Sequence, residues 1–111
     1  MKEHTIEELS DKVLAFTRDR DWDQFHNPKD LAIAISIESA ELLEAFLWKK
    51  PEEAKKEKVR EELADIINYA ILLADKCDLD IYEIVTEKLK FNEEKYPVDK
   101  ARGSAKKYSE L

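Results

Sequence analysis

Glu38 and Glu41 stand three residues apart, and so do Glu62 and Asp65. At helical spacing each pair shares one face. The first pair lies in ISIESAELLEAFLW, with no Lys or Arg between Lys29 and Lys49. The second lies in EELADIINYAILLA, with none between Arg60 and Lys76. A solvated helix face ordinarily mixes both signs of charge. Here like charges repel along the helix, and taking a carboxylate out of water without a partner costs several kcal/mol. The four acids therefore call for a cation, either a lysine from another helix or a divalent metal that serves all of them. An all-carboxylate donor set is hard, which selects Mg²⁺, with Mn²⁺ as a substitute. A di-iron bundle would need Glu-x-x-His pairs, and neither His4 nor His26 follows a glutamate at that distance.

The elements that must carry these acids are helices. Thr5 with Glu8 three residues on reads as a cap, and Ile6, Leu9, Val13 and Phe16 repeat at helical spacing to about Arg20. DWDQFHNP is an aromatic linker. Asn27 before Pro28 starts a second helix, expected to run through Trp48 to a break before Pro51. A third helix is expected over Pro51 to Lys76, polar in its first half and apolar from Leu63. Asp80 and Glu83 cap a fourth, which ends before Pro97. Residues 97–111 hold the single glycine and read as an extended tail. No strand pattern occurs, so the fold class is all-α, a four-helix bundle in one domain spanning 1–111.

Composition sets bounds on function. The net charge of −7 argues against nucleic acid as a partner. One cysteine, Cys77, points to a reducing compartment. MKEHTIEEL has no apolar core and no apolar stretch reaches membrane-spanning length, so the expected location is cytoplasmic, without membrane association. The second helix is apolar on every side up to Ile37, which calls for cover by a second copy.

The E-x-x-E and E-x-x-D pairs, with RDWDQFHNP, FLWK, EELADIINY and NEEKYPVDKARGSAKKYSEL around them, closely resemble the MazG-like all-α nucleoside triphosphate pyrophosphohydrolases, in their dCTP pyrophosphatase branch. The resemblance covers nearly the whole chain. It implies Mg²⁺-dependent cleavage of a deoxynucleoside triphosphate to monophosphate and pyrophosphate. It implies Glu38, Glu41, Glu62 and Asp65 as metal ligands, and a homodimer or homotetramer with nucleotide sites between subunits. Relatives often carry glycines beside the first two acids, and this chain has none there.

Within that frame Glu41, then Glu38, would take the proton of the attacking water. Glu44 and Glu61 read as solvated surface. Between Lys88 and Lys107 seven bases stand against three acids, a local positive segment in an acidic chain. The resemblance carries phosphate contact to Lys88, Asn92 and Tyr96, and also to Arg102 and Lys107. A base needs flat apolar surfaces with a few polar groups, which Trp22, Trp48, Tyr69 and His26 could supply, with Phe25 beside them. The substrate expectation is dCTP or a modified dCTP, in nucleotide-pool house-cleaning. The alternatives are dUTP or a broad range of triphosphates, or a catalytically silent helical interaction module with a structural metal site.

Overall fold

The computed structural model describes residues 4–110, and all regular structure among them is helical. The helices are α1 (Ile6–Asp19), α2 (Pro28–Glu44), α3 (Lys56–Lys76), α4 (Ile81–Lys95) and a single turn, α5 (Val98–Ala101). Compact units divide after Leu79, so α1–α3 form one and α4 with the C-terminal segment another. The three expected starts are there. Thr5 Oγ1 accepts from the Glu8 N–H at 3.0 Å, Asn27 Oδ1 from Asp30 at 2.9 Å and Asp80 Oδ1 from Glu83 at 2.9 Å. Each satisfies one of the orphan donors of a helix's first turn.

Three boundaries differ from the sequence expectation. α2 stops at Glu44 rather than Trp48. Phe46 and Lys49 close turns onto Leu43 and Phe46, and Trp48 takes a left-handed φ of 62°. α3 begins at Lys56 rather than Pro51, because Pro51–Glu53 winds as an isolated 3₁₀ turn. The Glu53 carboxylate accepts from the Lys50 N–H at 3.2 Å, and Ala54 and Lys55 are extended before α3 starts. The C-terminal segment is not simply extended. Proline 97 has φ preset for a helix start and opens α5. Tyr108–Glu110 forms a 3₁₀ turn whose Tyr108 ring meets Tyr96 edge-on at 6.4 Å.

α1 and α3 end alike, without glycine. Asp21 and Asp78 adopt φ 54°, and the N–H groups of Trp22 and Leu79 reach back to the Thr17 and Ala74 carbonyls at 2.9 and 2.8 Å. This is the Schellman arrangement, with Asp in the left-handed seat that usually falls to Gly.

In the first unit α3 packs against both α2 and α1. Its core is small: Leu31 and Ala45 with Ile71, Leu72 and Ala74. Thr17 is buried as well and spends its hydroxyl on the Leu14 carbonyl at 3.0 Å. Around this core Ile33, Ile37, Leu43, Leu47, Leu63 and Ile67 remain between 44% and 60% exposed. The linker after α1 is tied to the end of α3, where Lys76 Nζ pairs with Asp23 Oδ1 at 3.0 Å and donates to its carbonyl at 3.3 Å. No helix among the described residues is long and apolar enough to cross a membrane.

Leu31 is the deepest large side chain, 2% exposed. Leu31→Ala should lower unfolding stability by ~2–5 kcal/mol through lost burial and a residual cavity. In urea titrations the midpoint should fall with the slope unchanged.

Candidate metal centre and adjoining cavity

Packing α2 against α3 brings three of the four acids together. Oxygen atoms of Glu38, Glu41 and Glu62 all lie within 4.8 Å of one another. Glu62 is only 5% exposed, and the two α2 glutamates are half-buried. The backbone reason is simple. Glu38 and Glu41 occupy one face of α2, Glu62 faces them from the second turn of α3, and the apolar residues around them hold the helices in contact. Asp65 lies one turn further along α3, exposed, outside the cluster and on the wall of the neighbouring cavity.

The cluster has one basic neighbour that the spacing argument overlooked. Lys58, four residues before Glu62 on α3, donates to Glu62 Oε1 at 2.9 Å. The expectation of acids without a local base is thus corrected for Glu62. The i, i+4 partner lies two residues before Arg60, outside the base-free stretch that the sequence shows. Two buried oxygens, Glu38 Oε2 and Glu62 Oε2, still have no hydrogen-bond partner.

This geometry splits the two facing glutamates. The Glu62 carboxylate beside it, burial and the Glu41 carboxylate push the Glu38 carboxyl up to about 7. Lys58 holds Glu62 below the usual carboxylate range, with Glu38 adding to the effect, and Glu62 in turn raises the Lys58 ammonium. Close carboxylates that cannot all ionise comfortably titrate as a set. The donor set fits a hard divalent cation: three converging carboxylates, two of them with buried oxygens that nothing else satisfies. Glu38, Glu41 and Glu62 could hold it.

Beside the cluster is a cavity of about 400 Å³ between α1, the linker and α3. Trp22, His26, Asp65 and Tyr69 line it, all named from sequence. His26 keeps a buried Nδ1 without a partner there. Trp22 is held by an edge-on contact to Phe16 at 5.8 Å, and the Arg20 guanidinium covers the same Phe16 ring at 3.7 Å. The sequence reading missed the α1 contribution, Lys12, Val13, Phe16 and Thr17, and also Asn68 and Leu72 of α3. The signal was available. Val13, Phe16 and Thr17 share a face of α1, and Asp65, Tyr69 and Leu72 share the face of α3 that carries Glu62. Trp48 and Phe25 are elsewhere. Trp48 is 99% exposed, outside this cavity, and Phe25 is 68% exposed.

Lys88, Asn92, Tyr96, Arg102 and Lys107 belong to the second unit. Lys88 and Lys95 sit over the Phe91 ring at 4.6 and 4.7 Å, and Lys95 also approaches the Tyr108 ring at 4.5 Å. Asn92 is half-buried, and its carbonyl accepts from the Tyr96 N–H at 2.8 Å. Arg102 follows α5, and both it and Lys107 are exposed.

Comparison with known proteins identifies the family. The model of the MazG-like family matches residues 33–111. The dCTP pyrophosphatase 1 of Mus musculus is 37% identical over 98% of this chain and 69% of its own length. That of Homo sapiens is 36% identical over the same shares. The crystal structure of a pyrophosphatase from Archaeoglobus fulgidus matches with a TM-score of 0.77 at 40% identity, covering 87% of this chain and 96% of that one. With its paired acids on adjacent helices and most of its length matched, the chain belongs to the MazG-like family.

Proposed function

We propose that this nucleoside triphosphate pyrophosphohydrolase is Mg²⁺-dependent and takes dCTP or a modified dCTP, releasing the monophosphate and pyrophosphate. The observation that carries the reading is the convergence of Glu38, Glu41 and Glu62 next to an aromatic-walled cavity. The relatives named as dCTP pyrophosphatases support the choice of substrate. Bound at the three carboxylates, Mg²⁺ or Mn²⁺ would neutralise phosphate charge and lower the pKa of a bound water.

The chain's own groups divide the remaining work. Glu62, fixed by burial and by Lys58, keeps one carboxylate ionised and oriented. Glu41, half-buried, is the proposed acceptor of the attacking water's proton, with Glu38 as second choice. Asp65, on the cavity wall one helical turn from Glu62, is proposed to complete the ligand set. Trp22 and Tyr69 offer ring surfaces for the base, and the free Nδ1 of His26 offers one hydrogen bond to its edge. Lys88, Asn92, Tyr96, Arg102 and Lys107 are the proposed phosphate contacts, since point charges and a guanidinium fork suit phosphate oxygens. Trp48, outside its own subunit's cavity, is available to a neighbouring copy.

A panel of triphosphates with Mg²⁺ tests the reaction. dCTP should give dCMP and pyrophosphate, and Glu41→Gln should lose at least about a hundredfold in kcat, as expected for an acid–base residue. Tyr69→Ala should raise KM for dCTP or flatten the base preference, base stacking being worth ~1–3 kcal/mol. Orthophosphate with a diphosphate would indicate a different bond cleaved. No turnover of any triphosphate would favour the silent interaction module.

Protons and Mg²⁺ compete for the same Glu38 oxygens. A carboxyl raised to about 7 is protonated in the folded protein below that pH, while in the unfolded chain it ionises in the ordinary carboxylate range. The metal-free fold is therefore penalised increasingly as pH rises through that window, and Mg²⁺ binding strengthens over the same window. Calorimetric titration should show roughly tenfold weaker Mg²⁺ binding one pH unit below that value than one unit above it. Glu38→Gln should remove this slope and raise the metal-free melting temperature at alkaline pH.

The half-exposed Ile33, Ile37, Leu43 and Leu47 of α2 and the turn after it favour a homo-oligomer, dimer or tetramer, covering that surface. Sedimentation at micromolar concentration should show a particle larger than the 13.0 kDa chain. A folded particle of monomer mass would remove the proposal.

A further inference from the structure

Lys58 neither handles a proton nor holds metal in the reaction as set out above, yet its ammonium sits 2.9 Å from Glu62 Oε1. The two side chains are unequal. That of Glu62 is 7% exposed and that of Lys58 44%, so a fixed acid meets a base that reaches it from the solvent side. Among the described residues no other Lys or Arg is ion-paired to Glu38, Glu41 or Glu62. One positive charge thus serves three carboxylates, and two buried oxygens are left over.

We propose that Lys58 is a resident counter-ion of the carboxylate cluster, holding Glu62 in its ligating position in the metal-free protein and competing with the divalent cation for that carboxylate. The inference rests on the metal reading of the cluster. An ammonium and a divalent cation draw on the same negative charge, so each weakens the other's hold. A buried carboxylate with no partner is strongly destabilising, and Lys58 removes that condition before metal arrives. Its half-exposed, flexible four-carbon stem allows the ammonium to swing into water when the oxygens are taken. Entry of the metal then requires a side-chain rotation on α3 rather than a shift of α2 against α3. The same device lowers metal affinity, which keeps the ion exchangeable. Lys58 is in this sense a positioning residue that acts through Glu62.

Lys58→Met keeps the stem and removes the charge, and Lys58→Arg keeps a charge. Each is titrated with MgCl₂ alone by calorimetry, and each is melted without metal. Lys58→Met should bind Mg²⁺ about tenfold more tightly than the parent and melt lower without metal. Lys58→Arg should stay near the parent in both. In a Glu62→Gln background, Lys58→Met should no longer lower the metal-free melting temperature. A residue serving only helix packing would lower melting equally in that background and leave Mg²⁺ affinity unchanged, and either result overturns the inference. Mg²⁺ binding to the parent, with equal or weaker binding to Lys58→Met, overturns the inference alone. A parent that binds no Mg²⁺ at millimolar concentration overturns the metal reading, and this inference with it.

Discussion

The contact between α2 and α3 sets the terms for the rest of the first unit. It must be close enough to bring oxygens of three carboxylates within 4.8 Å, and it must survive their repulsion. The apolar residues that hold it are few: Leu31 and Ala45 on one side, Ile71, Leu72 and Ala74 on the other. Only one of the three acids has a cation within ion-pair distance. The remaining electrostatic strain shows in the Glu38 carboxyl, which the neighbouring Glu62, burial and Glu41 push up to about 7. A site that is uncomfortable when empty is a site whose filling helps the fold.

Burial and charge act differently on neighbouring acids of the same type. Glu62 is the most buried of the cluster, and burial alone would raise its carboxyl. The lysine one turn away outweighs that and holds it down. Glu38, with no such partner, is pushed in the opposite direction. Two glutamates packed face to face thereby reach opposite protonation tendencies.

Much of this was legible in the residues. Caps at Thr5, Asn27 and Asp80 were readable because side-chain oxygen acceptors at helix starts are local, and so was the helical period between them. The convergence of Glu38 and Glu41 with Glu62 followed from two short spacings on helices joined by a short break. Non-local decisions were less legible. α2 ends at Glu44 because the following residues turn onto themselves, although nothing in AFLW forbids another helical turn. Trp48 shares a period with the acids, yet once the helix ends that period no longer places it, and the ring faces solvent. The wall contributed by α1 depends on which helix α3 chooses as its second neighbour, a tertiary fact that no window of the sequence contains. For the basic segment from Lys88 to Lys107, charge pattern alone is balanced between phosphate contact and a solvated tail, and only the resemblance to known pyrophosphohydrolases tips it.

The aspartates that close α1 and α3 bear on mutational tolerance. Asp21 and Asp78 occupy left-handed backbone, a region that Gly and Asn also enter readily and that β-branched side chains do not. Replacing either with Gly would relieve native strain while giving the unfolded chain more freedom, and these effects oppose each other. Both positions should therefore drift freely among Asp, Asn and Gly and stay closed to Val or Ile. A pattern that requires glycine at a helix end would miss the two left-handed turns that aspartate makes here.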